Sequence, residues 1–502
     1  MAQENAPAAA RLGRPVGDGG MTMSQGSQSS GRRRRRGRVA ARAEAAFFGA
    51  VVTATDLLPP RIRYGYVHPL TAWMFRRPLR ILAATAVRSG ASAAPPATSS
   101  LPGTLCCALL TGSMEVGGIG SVVEVLATGL PMAGVRAVVI CTAEGARVAR
   151  LRSRGVDVVV VANEAEAEQA LRELNPDVIQ SHAAPEPLED AATASGIPVV
   201  PVLHNMEIHF SRARWRRFAR LLGSSAAAIG VSESVREFHA RHVGAALAER
   251  IRVVANAVPS EGAPEADERR AARAALGRTL GTDLAGDFVL VSLARYDAQK
   301  NVAGLVSSFL ATVTADQVRL IVAGEPSDWA ELRRADALRR SSERADRVAL
   351  LGSSDARALL AAADAFILDS FFEGWPVAAT EAAATGLGLV LGDFGGAREL
   401  VDRDRGGSLL IPNACGPAER VSDAAVARAR RRCSRQPNAH ELGAAVDALV
   451  LRVRDASQAP LRSWAPGEQL AAMVEGHADV LRRAVARGPV EARVGRVEGS
   501  SW

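Results

Sequence analysis

The chain has 502 residues, 48% of them hydrophobic and 4% aromatic, which is enough for two or three cored domains and, with its abundant Ala, Gly, Val and Leu, points to an α/β protein. The formal charge of +8 is uneven: residues 1–100 carry 15 Arg against 4 acidic residues, and the remaining 402 carry 46 basic against 49 acidic. So balanced a body argues against a nucleic-acid partner; five scattered cysteines without C-x-x-C spacing argue against a cysteine metal site and fit reduced thiols.

Taken from the amino end, residues 1–46 are rich in Ala, Gly, Ser and Arg, include the run Arg32 to Arg36, and are expected to be disordered. The longest apolar run, Ala45 to Leu58, falls short of the ~20 residues that span a membrane, and Glu44 beside it does not suit a signal peptide. A cytoplasmic protein is expected. Between Phe47 and Arg88, Phe47, Phe48, Tyr64, Tyr66, Trp73 and Phe75 alternate with Arg61, Arg63, Arg76, Arg77 and Arg80. That mixture suits an anionic membrane surface, with residues 32–88 as the contact and the inner face of the plasma membrane as the place; a solvated segment packed on the body is the plainer alternative. ASAAPPATSS at 91–100 reads as a linker.

From Thr104 short apolar runs alternate with helical stretches: LCCALL, VRAVVIC, VDVVVVA, PDVIQSH, IPVVPVLH, AAAIGVS and RIRVVANAV. After a polar stretch the rhythm restarts with DFVLVSLAR, VRLIVAGE, RVALLG, DAFILDS, GLVLGD and GSLLIP. Runs of this length followed by helices predict parallel sheets covered on both faces. The expected organisation is a basic extension over 1–100, a Rossmann-like domain over 101–258, a second over 284–465 and a C-terminal helix and tail over 466–502. Residues 414–440 read as a surface insertion.

Ligands of doubly wound sheets bind beyond the carboxyl ends of the strands, so the loops there carry the candidates. Gly117, Gly118 and Gly120 precede a helix, where backbone N–H groups approach an anion. Arg295 and Lys300 follow the first strand of the second domain, and of the 61 basic residues Lys300 alone is lysine. Arginine is a planar fork and lysine a mobile point charge, a pair suited to a diphosphate. Glu373 and Glu381 are separated by seven intervening residues around Pro376, ~12 Å if helical throughout. One carboxylate suits sugar hydroxyls and the other ribose hydroxyls. Gly395 and Gly396 open a further helix, and His182 and His204 end two strands that face one cleft.

These residues resemble the retaining nucleotide-sugar glycosyltransferases, the family of glycogen synthases, sucrose synthases and phosphatidylinositol mannosyltransferases. The resemblance spans about residues 104–412 and rests on the ordered set VSLARYDAQKN, LIVAGE, VALLG and DAFILDSFFEGWPVAATEAAATGLGLVLGDFGGARELV. It implies the GT-B fold, two Rossmann-like domains facing across a cleft. It implies donor diphosphate at Arg295 and Lys300, donor sugar at Glu373, ribose at Glu381, a glycine loop at Gly117 and Gly118, and a histidine near the reacting centre at His204. Neither a cofactor nor a metal is expected, and the one D-x-D of the body, Asp402 to Asp404, reads as a surface turn. The sequence departs from the family at Asn256-Ala257-Val258, at Gly324-Glu325-Pro326 and at Gly388, changes that leave the charged site groups in place. The expected activity is transfer of a sugar, with retention, from a nucleotide diphosphate to an unknown hydroxyl acceptor. A nucleotide-sugar epimerase and a degenerate binding or scaffolding module acting through the basic tail are the alternatives.

Overall fold

The computed structural model describes residues 25–59, 62–83, 104–115, 117–259, 262–404, 407–455 and 465–488. It begins with two helices, α1 (Gln25–Asp56) and α2 (His68–Phe75). The seven runs of the first domain become β1 (Leu105–Thr111), β2 (Val135–Cys141), β3 (Asp157–Val160), β4 (Val178–His182), β5 (Val199–Leu203), β6 (Ala228–Gly230) and β7 (Ile251–Val253). They form one parallel sheet in the order β3-β2-β1-β4-β5-β6-β7. Helices α3 (Gly118–Gly129) and α4 (Ala146–Ser153) follow β1 and β2.

The second domain repeats the plan with β8 (Phe288–Leu293), β9 (Val318–Ala323), β10 (Val348–Leu351), β11 (Ala365–Leu368), β12 (Gly388–Gly392) and β13 (Leu409–Ile411), ordered β10-β9-β8-β11-β12-β13. Its helices include α5 (Val302–Thr312), α6 (Trp329–Ser341), α7 (Val377–Ala384), α8 (Ala397–Arg403) and α9 (Asp423–Arg431). Strands β4, β5 and β12 are buried at every position; β5 and β12 read accordingly as apolar runs, while β4 buries the polar Gln180, Ser181 and His182, and the edge strand β3 alternates in exposure. A last helix, α10 (Pro466–Arg487), returns to the first domain, where Arg482 Nη2 donates to the Ala133 carbonyl and the ring of His477 stacks on His182.

Chain order reverses between β1 and β4 in one sheet and between β8 and β11 in the other. These are the two places where neighbouring crossovers depart to opposite faces and leave a crevice at the strand ends. The glycine loop and His182 bracket the first crevice; Arg295, Lys300 and Glu373 bracket the second.

Three expectations are corrected. Of the stretch 1–46 expected to be disordered, residues 25–46 are helical, while residues 1–24 lie outside the described residues. The reason is a stripe at helical spacing, Ala41, Glu44, Phe48, Val52 and Asp56: Ala41, Phe48 and Val52 are buried, Phe48 against Ala330 of α6. Glu44 pairs with Arg333 and, at 2.7 Å, with Arg340 of α6. Asp56 pairs with the buried Arg430 of α9, whose Nη2 lies 3.2 Å from Glu331. The segment 414–440 is therefore not a surface insertion: Arg430, Gln436 and Asn438 are all buried. Nor is Asp404 a surface residue, since it is 3% exposed and takes the Ser408 hydroxyl.

Candidate active site

In the second domain the turn between β8 and α5 is organised by Asp297. Its Oδ1 accepts the backbone N–H groups of Gln299 at 2.9 Å and Lys300 at 3.0 Å, and its Oδ2 lies 3.0 Å from Arg295 Nη2. The turn ends at Asn301, left-handed at φ 51°, a conformation asparagine tolerates better than most residues. Beneath it, Asn301 Nδ2 donates to Asp369 at 3.0 Å and to Gln436 at 2.8 Å, and Asn438 Nδ2 donates to the other Asp369 oxygen at 2.9 Å. Burial pushes the Asp369 carboxyl up to about 7. Four buried polar side chains thus hold the loop that carries Lys300.

Lys300 aims Nζ at the Glu373 carboxylate, and the second oxygen of Glu373 accepts Gln299 Nε2 at 2.9 Å. The lysine and glutamate side chains are 17% and 8% exposed, the Arg295 side chain 41%. The cationic pair of the sequence is therefore present at one strand end, each cation with its own carboxylate. Helix α7 begins only at Val377, with Pro376 as its N-cap, so Glu373 stands in the loop and Glu381 on the helix. The two glutamates do not share one continuous helix.

Across the crevice, Gly117 adopts φ 87° at the start of α3, a conformation that suits glycine. A Cβ on Gly118 would lie 3.2 Å from Val377 of the opposite domain, and one on Gly120 would lie 2.2 Å from the Met114 carbonyl and 2.9 Å from Arg147 Nη1. Arg147, at the start of α4, has that Nη1 buried without a hydrogen-bond partner, while its backbone N–H donates to Glu115 at 2.9 Å. It also faces Glu381, whose carboxyl is pushed up to about 7 by burial against the opposing pull of this guanidinium. Arg147 was not legible in the sequence, because it sits in an ordinary A-E-G-A-R stretch and enters the crevice through the close approach that Gly120 permits.

His182 and His204 meet, Nδ1 to Nε2, at 2.9 Å. The adjacency of β4 and β5 brings them together. The domains touch here as well: a Cβ on Gly374 would lie 1.8 Å from the His204 carbonyl oxygen, and Ser232 Oγ donates to the Gly374 carbonyl at 3.0 Å. Gly395 and Gly396 serve that same loop. A Cβ on the first would lie 2.4 Å from the Glu373 carbonyl and on the second 2.2 Å from the Trp375 ring, and Gly396 N–H donates to Gly374 at 2.9 Å. Among the described residues no group of three His, Cys, Asp or Glu side chains is placed to hold a metal ion.

Two family models match the chain: "Glycosyl transferases group 1" over residues 287–427 and "Glycosyltransferase Family 4" over residues 116–261. Together they cover more than half of it. Among solved structures, Anabaena HepE in complex with UDP-glucose is 21% identical, with a TM-score of 0.52 over 69% of this chain and 99% of that one. Sucrose-phosphate synthase of Thermosynechococcus elongatus is 15% identical, with a TM-score of 0.53 over 76% and 100%. The catalytic domain of Arabidopsis thaliana starch synthase IV, bound to ADP and acarbose, is 14% identical, with a TM-score of 0.52 over 77% and 100%. At these identities the likeness shows the fold, GT-B. No curated protein matches the chain significantly.

Proposed function

Since the chain belongs to the glycosyltransferase superfamily, we propose that it transfers a sugar from a nucleotide-diphosphate sugar to a hydroxyl acceptor with retention at the anomeric carbon. The observation that carries this reading is the contact of Lys300 with Glu373 at the β8/β11 crevice, opposite His204. A diphosphate offers Lys300 a stronger anionic partner than one carboxylate and, by taking the lysine, frees Glu373 for sugar hydroxyls. Breaking the bond between the anomeric carbon and the phosphate oxygen builds negative charge on the leaving group, which Lys300 and Arg295 are placed to stabilise. The acceptor oxygen bonds to the same face of that carbon as its hydroxyl proton passes to the departing phosphate, so no protein nucleophile and no metal are required. HepE, solved with UDP-glucose, supports a nucleotide-sugar donor.

The test is a thermal-shift and turnover panel of nucleotide sugars with the protein and its Lys300→Ala variant. Stabilisation by one donor, lost in the variant, is expected. No response of the unaltered protein to any donor sinks the reading, and donor conversion without acceptor points to an epimerase.

The proposal includes attachment to an anionic membrane. No helix among the described residues is long and apolar enough to cross one. Yet α2 buries Thr71 and packs Phe75 inward while its outer side leaves Leu70 and Met74 exposed and Trp73 84% exposed. Tyr66 precedes them on that side, Arg76 and Arg77 follow, also exposed, and residues 57–82 contain no acidic residue. An apolar patch rimmed by arginine is built to lie in a headgroup layer rather than in water. Full-length protein is expected to co-sediment with phosphatidylglycerol vesicles and less with phosphatidylcholine ones, and Trp73→Glu to lose that binding without losing soluble turnover. Equal sedimentation of the variant, or self-association through this face instead, removes the idea.

A further inference from the structure

Behind His204 the buried polar chain continues. His182 Nε2 lies 3.0 Å from Gln180 Oε1, and His477 Nδ1 of α10 lies 3.2 Å from the same oxygen. Gln180 and His182 stand two residues apart on β4, hence on one face of the strand. His477 arrives with the C-terminal helix and stacks at 7° to the His182 ring. Gln180, His182 and His477 are fully buried.

A carboxamide oxygen has lone pairs and no proton, so each ring nitrogen facing it must donate. A neutral imidazole carries one proton. With it on Nε2, His182 can only accept at Nδ1, and His204 must then supply the proton of their shared bond from its own Nε2. Burial keeps second protons away: it lowers His204 to about 4 and His477 to about 3, and depresses His182 well below the ordinary histidine range, aided by the neighbouring rings. His204 Nδ1 makes no hydrogen bond among the described residues, on a side chain only partly buried beside Gly374.

We infer that Gln180 and His182 are positioning residues that fix His204 in one neutral tautomer, with its Nδ1 lone pair turned to the cleft as an acceptor for a hydroxyl. The identity of that hydroxyl, on a bound sugar, rests on the transferase reading; the tautomer does not. A phosphate oxygen, itself an acceptor, is excluded from this nitrogen. The duty of holding the diphosphate therefore falls to the cations of the opposite wall, and His204 selects hydroxyls. His477 makes the selection depend on the docking of α10, which supplies the second donor to Gln180.

Long-range proton–nitrogen NMR spectra of the ligand-free protein, labelled at its eight histidines, read the tautomers directly, with His204 assigned by loss of its signals in His204→Phe. A protonated Nε2 and bare Nδ1 on His204, unchanged from about pH 5 to about pH 8, are expected. A protonated Nδ1 would mean that the Gln180 amide is turned over, and overturns the assignment; so does exchange between two tautomers. Gln180→Glu, which still offers acceptor oxygens, should retain the tautomer. Gln180→Leu should mix the two and lower kcat about tenfold or more with donor KM little changed, the scale seen when an orienting partner of a functional histidine is lost. If Gln180→Leu fails to fold, the unaltered protein and Gln180→Glu still decide. A wrong tautomer leaves the transferase reading standing, and silence in the donor panel leaves the tautomer standing.

Discussion

The two walls of the cleft hold their polar groups by opposite means. In the second domain charge is met by charge: Lys300 by Glu373, Arg295 by Asp297, and at the back of the domain Arg430 by Asp56 and Glu331. In the first domain the central groups are neutral, a glutamine and three histidines joined by hydrogen bonds and kept unprotonated by burial. Ion pairs can exchange partners when an anion arrives, while a neutral chain with one allowed proton order cannot rearrange without breaking a bond. One wall is suited to receiving a charged ligand and the other to keeping a fixed geometry.

The comparison can be broken where charge is removed. The largest effect is expected at Arg430→Met, which leaves the buried Asp56 and Glu331 only their longer contacts, to Arg63 at 3.7 Å and Arg334 at 3.9 Å: a loss of about 3–5 kcal/mol in denaturant unfolding, with the fluorescence of Trp329 on the adjoining helix changing in the same transition. A loss below ~1 kcal/mol, the value of an exposed pair, would show that the extension is not held by this network. Lys300→Ala is expected to lower kcat about 10²- to 10³-fold, the scale of one lost electrostatic stabiliser, while the fold persists by circular dichroism.

The smallest effect sharpens the contrast through pH. Burial places Glu381 at about 7, so it is protonated below that value and charged above it. If its carboxylate takes ribose hydroxyls, donor affinity rises about fivefold (~1 kcal/mol) from about pH 6 to about pH 8, because bonds to an ionised acceptor are stronger. Glu381→Gln should flatten the profile. His204, at about 4, contributes nothing in that window, and a limb near the ordinary histidine value that survives in Glu381→Gln would contradict the neutral wall.

Much of this was legible beforehand because it is written in local pattern. Every strand of both sheets appears in the sequence as an apolar run, and Arg295, Lys300, Glu373, His182 and His204 stand just after such runs. The docked extension was not legible: the arginine and serine of residues 25–46 look like a solvated tail, and the partners of its stripe, Arg333, Arg340 and Arg430, are hundreds of residues away. Arg147, Asp369, Gln436 and Asn438 were missed for the same reason. Asp369 stands inside the strand-end run DAFILDS and the other three in no motif, and each matters only through a neighbour the chain brings from elsewhere.

The two-domain parallel architecture and the positions of the charged strand-end residues follow from contiguous chain, since apolar periodicity and the spacing of residues after a strand are local properties. Tertiary packing settles which charges neutralise each other, which glycines let the opposite domain approach, and how Gln180 and His477 order the protons behind His204. Those outcomes depend on desolvation and on distances of about 3 Å between segments far apart in sequence, and no local pattern encodes them.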